Sequence, residues 1–102
     1  MIDRPTTVEF DLSDPGFRLQ LVQLKRHFPQ LFQDFSAAVR NYEGMPWETF
    51  EAITCPEFIE AAFDDSYLIL RLHYLHGEVH VLAHLATDIL SLVRIQKPVI
   101  RS

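Results

Sequence analysis

The sequence predicts an α+β domain: a two-helix hairpin packed on an antiparallel β-meander sheet, with a short C-terminal helix. Three observations carry this. Apolar residues recur at helical spacing from Phe17 to Phe28 and again from Leu31 to Tyr42, with Pro29 between the two runs. From Glu57 the apolar period changes to two. His76-Gly77 then separates two β-rich runs, as a two-residue hairpin turn does, with Gly77 supplying a positive φ.

Each element has a local cause. "TTVEF" is β-branched and short, so Thr7–Phe10 reads as a first strand. Asp14 suits a helix N-cap and Pro15 the first helical position, where the missing N–H costs nothing. Phe17, Leu21, Leu24 and Phe28 then form one helical face. Pro29 ends that helix, because proline removes a donor and restricts the residue before it. Leu31, Phe35, Ala38 and Tyr42 form the stripe of a second helix, closed by Gly44. Between Pro46 and Pro56 the pattern fits either a short helix over Pro46–Ala52 or an irregular loop. "EFIEAAF" reads as a strand and Asp64-Asp65-Ser66 as a turn. "YLILRLHYL" and "EVHVLAHLA" are the two arms of the hairpin. Thr87 or Asp88 caps the expected terminal helix, Ile89–Ile95.

A loop at His76-Gly77 opposes Leu75 to Glu78, Tyr74 to Val79, His73 to His80 and Ile69 to His84. Alternation then gives one face Leu70, Leu72, Tyr74, Val79, Val81 and Ala83, the expected core face. The other face receives Ile69, Arg71, His73, Leu75, Glu78, His80, Leu82 and His84. Directly opposed side chains lie ~5 Å apart at Cβ, so His73 and His80 are expected to touch. Arg71 could hold a phosphate, and His73, His80 or His84 could act as acid or base near neutral pH. The plainer reading is amphipathic filler on a face that a partner or the terminal helix covers. No HExxH or CxxC spacing occurs, so neither a metal nor a cofactor is expected.

Composition narrows the rest. With 102 residues the chain should form one domain, residues 1–102. Its net charge of −5 makes it a poor general phosphate binder, which argues against nucleic acid and for a protein partner. The single cysteine, Cys55, precludes an intrachain disulfide and suits a cytoplasmic location. It reads as a buried or loop thiol rather than a nucleophile. The N-terminus has no apolar leader, and no apolar run approaches the ~18 residues of a membrane span. Lys25-Arg26-His27 ends the first helix, where positive charge complements the macrodipole. Trp47 reads as a lid on the core.

The order strand, two helices, meander resembles the RelE/ParE toxin superfamily. "FIEAAFDDSYLILRLHYLHGEVHVLAHLATDIL" resembles that family's run of strands, and "LQLVQLKRHFPQLFQDFSAAVRNY" is similar to its helical pair. The resemblance implies a toxin of a toxin–antitoxin pair, acting as a ribonuclease on the ribosome or on a protein target such as gyrase. It puts Arg71 where the family carries a basic residue and His84 near its C-terminal functional positions. Ala86 stands where one branch has a histidine. Glu57 and Glu60 occupy a strand where ribonuclease members carry Lys or Arg, so any ribonuclease activity is expected to be weakened or altered. The partner implied is an antitoxin or a target protein, and a homodimer is compatible with the pattern. The competing expectation is a non-enzymatic acidic binding protein, of immunity, antitoxin-like or inhibitor type, that covers a basic protein.

Overall fold

The computed structural model describes residues 5–62, 65–86, 88–96 and 99–100. In chain order these form β1 (Phe10–Asp11), α1 (Pro15–His27), α2 (Pro29–Tyr42), α3 (Trp47–Thr54), β2 (Glu57–Ala62), β3 (Asp65–Tyr74), β4 (Gly77–Ala86), β5 (Ile89–Ile95) and β6 (Val99–Ile100). The strands make one mixed sheet in the order β1-β5-β4-β3-β2. β1 runs parallel to β5, the other pairs are antiparallel, and β6 joins β4 at Gly77 and Glu78. The helices pack on one face, giving the α+β class expected.

The helical hairpin forms for the reasons visible in the sequence. Asp14 is the N-cap of α1, its Oδ1 accepting from the Phe17 N–H at 2.9 Å. Phe28 is the one residue between α1 and α2, and Pro29 opens α2. Phe17 and Leu24 from α1 and Leu31, Phe35 and Ala38 from α2 are buried. Gly44 follows α2 at φ 81°, a conformation costly for any residue with a Cβ. Its N–H donates to the Val8 carbonyl at 2.8 Å, and the Val8 N–H donates to the Met45 carbonyl at 2.8 Å. The expected strand Thr7–Phe10 is therefore divided. Its first half pairs with the loop after α2, and only Phe10–Asp11 joins the sheet.

The ambiguous Pro46–Pro56 stretch contains the helix α3, with Trp47, Phe50 and Thr54 buried. Cys55 caps its C-terminus at φ 46°, exposed and unpaired with any other cysteine. Phe50 is fully buried and meets the rings of Phe10, Tyr42 and Trp47 at centroid distances of 6.1, 5.3 and 5.3 Å. The sheet contributes Leu68, Leu70, Leu72, Val79, Val81 and Leu85 to the same core.

Three expectations need correction. Ile89–Ile95 is a strand, β5, and not a terminal helix. It pairs with β4 on one side and, at Leu90 and Ser91, with β1 on the other, so a ladder takes up backbone groups that a helix would have bonded internally. Asp65 and Ser66 belong to β3 rather than to a turn, while Asp64 lies outside the described residues, as do Thr87, Lys97 and Arg101. The sheet is mixed rather than purely antiparallel, because β1 enters parallel to β5. Among the described residues no helix is long and apolar enough to cross a membrane.

Candidate functional site

The β3–β4 hairpin positions the candidate residues. Tyr74 pairs with Gly77, so the two loop residues are Leu75 and His76 rather than His76 and Gly77. Gly77, at φ 150°, is the first residue of β4. The tip is tied to α2, where Asp34 Oδ2 lies 2.8 Å from His76 Nδ1. Leu75 projects beside it, 84% exposed.

The consequence is a two-residue change of register. His73 opposes Glu78 and not His80; Arg71 opposes His80; Ile69 opposes Leu82; Tyr67 opposes His84. A shift of two leaves every side chain on its expected face, since the side-chain period of a strand is also two. Leu68, Leu70, Leu72, Val79, Val81, Ala83 and Leu85 are buried under the helices, and β4 alternates buried and half-buried residues along its whole length. The opposite face, clear of the helices, carries Arg71, His73, His80 and His84 together. His76 turns the corner and His27 lies on α1.

Carboxylates hold Arg71 and His73 on this face. Arg71 Nη2 lies 2.6 Å from Glu57 Oε2 across the β2–β3 pair. Glu78 holds His73 Nδ1 through Oε1, and its Oε2 lies 3.7 Å from His80 Nε2. His80 Nε2 is buried without a hydrogen-bond partner. Farther along, the rings of Tyr67 and His84 stack at 4.8 Å and 34°. Such half-exposed ion pairs contribute at most about 1 kcal/mol each, but they decide which charges are free to meet a ligand. Among the described residues no three His, Cys, Asp or Glu side chains are grouped so as to hold a metal.

On the core face, the Tyr74 hydroxyl is likewise buried without a partner. Burial, and then the neighbouring Tyr42 and Asp34, raise its pKa far above the ordinary tyrosine value. Burial raises Tyr42 as well. Asp11 is held below the usual carboxylate range by hydrogen bonds from Ser13.

Four clefts are found among the described residues, and none of these four is lined by Arg71, His73, His80 or His84. The largest of these, about 770 Å³, lies between the N-terminal segment and α3 and is lined by Pro5, Thr6, Pro46, Trp47, Glu48, Glu51 and Ala52. Another of about 400 Å³ runs between α1 and α2. The remaining two, about 340 and 350 Å³, flank the contact of α1 with β5. Sequence reasoning missed three participants: Glu57 as the partner of Arg71, Arg94 on the same open face, and the Glu48/Glu51 cleft. The first needed the β2–β3 register. The second was hidden by reading β5 as a helix. For the third, the WETFE spacing of Trp47, Glu48 and Glu51 was present, but its place beside Pro5 was not.

No protein-family model, curated protein or solved structure matches this chain.

Proposed function

We propose that this is a non-enzymatic acidic binding protein that docks a basic segment of a partner protein. The observation that carries the reading is the pairing on the open sheet face. Arg71 is paired with Glu57 and His73 with Glu78, and none of the four clefts described above includes them. Catalysis of phosphate chemistry needs unpaired donors aimed at developing charge in a site that excludes water. On this face Arg71 and His73 are each already held by a carboxylate. The cleft beside α3 is lined by Glu48 and Glu51 with Pro5, Pro46, Trp47 and Ala52, and Glu51 Oε2 accepts from Trp47 Nε1 at 2.6 Å, on a chain with fourteen acids against nine Lys and Arg. Complementary fields of that kind steer a basic partner.

Fluorescence anisotropy with a labelled oligo-lysine peptide and a labelled single-stranded RNA tests this. The peptide should bind with an affinity that falls with salt and falls several-fold in E48Q/E51Q, while RNA is neither bound nor cut. RNA cleavage that disappears in H80A would overturn it.

A second reading follows from Arg71 standing directly across the strands from His80, whose Nε2 has no hydrogen-bond partner. A guanidinium beside an imidazole is a pairing suited to phosphate chemistry, and the strand–helix–helix–meander order supports a RelE/ParE-like toxin. Induced expression in bacteria would then arrest growth, and H80A would relieve the arrest. Normal growth with well-folded protein sinks this second reading.

A further inference from the structure

The registers of the central strands contain a symmetry that a single chain does not use. Across the open face, one row reads Glu57 on β2, Ile69 on β3, Leu82 on β4 and Arg94 on β5. It begins with an acid, ends with a base and is apolar between. The neighbouring rows read Tyr67 beside His84 and, toward the hairpin tip, Arg71 beside His80 and then His73 beside Glu78.

Consider a second copy placed face to face, related by a two-fold axis that runs along the strands midway between β3 and β4. The rotation reverses each row onto itself. Glu57 of each copy then faces Arg94 of the other, Ile69 faces Leu82, Tyr67 faces His84, His73 faces Glu78, and Arg71 faces His80. The outer row pairs acid with base and apolar with apolar, the self-complementarity an isologous interface requires. We propose that the protein forms a homodimer through this open sheet face.

Two further features fit a second copy. Arg94 is exposed and has no carboxylate partner among the described residues, so the reversed row supplies one. The area is also sufficient. β3 and β4 are ten residues long. β2 has six residues and β5 seven. At about 3.3 Å per residue and about 4.8 Å per strand, the face covers roughly 500 Å² per copy. The pair would bury about 1,000 Å², the threshold for a biological interface. Facing sheets pack about 10 Å apart, a gap that opposed Glu and Arg side chains can span. The inference is independent of the acidic cleft, which lies elsewhere on the molecule.

The test uses two single variants at exposed positions, E57R and R94E, in the full chain. Sedimentation equilibrium should give a dimer for the wild type. E57R sets like charges face to face twice in its homodimer, and so does R94E; each should associate at least ten-fold more weakly. An equimolar mixture of the two restores both pairings and should recover wild-type association as a heterodimer. Within one copy the two positions lie three strand spacings apart, about 14 Å, so recovery cannot arise from an internal contact. Circular dichroism melts of each variant confirm that both remain folded. A wild type that stays monomeric at every concentration overturns the proposal. So does a dimer indifferent to both variants, or a mixture that fails to recover.

Discussion

Tyr74 carries an unusual burden for one side chain. Its ring packs against the core, but its hydroxyl is buried and makes no hydrogen bond. A buried hydroxyl without a partner loses its water and gains nothing in exchange, at a cost of about 1–3 kcal/mol. Removing the oxygen should therefore stabilise the fold: Y74F is expected to raise the unfolding free energy by about 1 kcal/mol at neutral pH. The same residue sets the alkaline limit of stability. Its pKa is raised in the folded state by burial, so the folded protein holds the phenolic proton more tightly than the unfolded chain. That contribution is fully present below the unfolded tyrosine value of about 10. It is lost as pH rises from there through the folded value, because the unfolded state then sheds a proton that the folded state keeps. Urea unfolding midpoints between neutral pH and about pH 11 should fall in the wild type and fall less steeply in Y74F. Tyr42, raised in the same direction, leaves a residual slope.

At the scale of elements, β5 shows both how the sheet is finished and why its sequence misleads. β1 covers only Leu90 and Ser91 of its outer edge. Farther along, the Gln20 side chain from α1 takes the place of a strand. Its Nε2 donates to the Ile95 carbonyl at 3.0 Å, and its Oε1 accepts from the Ile95 N–H at 2.7 Å. The amide thus closes an edge that could otherwise pair with another chain. Q20A should leave both backbone groups unpaired and cost about 1–3 kcal/mol. Amide hydrogen exchange should accelerate at Ile95 far more than at Leu90; equal protection at Ile95 in Q20A would show that the side chain does not close the edge. The same strand was illegible because of its bulge. Leu90 and Leu92 point inward, the register then shifts, and Ile95 points inward next. Inward spacings of two and then three imitate a helical stripe, and Asp88 before it looks like a cap. The helices were legible because their signals are local: Asp14, Pro15 and Pro29 act within one turn. The hairpin faces were legible through the period of two, whereas the pairings were not, since registers two residues apart place the same side chains on the same faces. That is why Arg71, His73, His80 and His84 could be assigned to one surface, but Glu78 and Glu57 could not be matched to the groups they hold.

For the whole molecule, the β1 and α3 end of the domain depends on one ring. Phe50 joins Phe10 of β1, Tyr42 of α2 and Trp47 of α3, and none of its surface reaches solvent. β1 itself is two residues long and pairs only with β5, so it has little ladder of its own to hold it. The same end carries the Glu48/Glu51 cleft, whose wall includes Trp47. Truncating a buried phenylalanine to alanine costs about 3–5 kcal/mol, because the lost transfer free energy is joined by that of the cavity left behind. A domain of this size has a total stability of about 5–15 kcal/mol. F50A should therefore remove a large fraction of it and, at about 4–8 °C per kcal/mol, lower the melting temperature by about 12 °C or more. F50L keeps much of the volume and should lose less than half as much. The loss should also be uneven. In F50A, exchange protection of the Leu90 amide, which donates to the Glu9 carbonyl, should fall before that of the β3–β4 ladder. That order follows because β1 loses its anchor while the central hairpin keeps its ten paired positions. A melt of F50A within a few degrees of wild type would mean that the aromatic cluster does not hold these elements together.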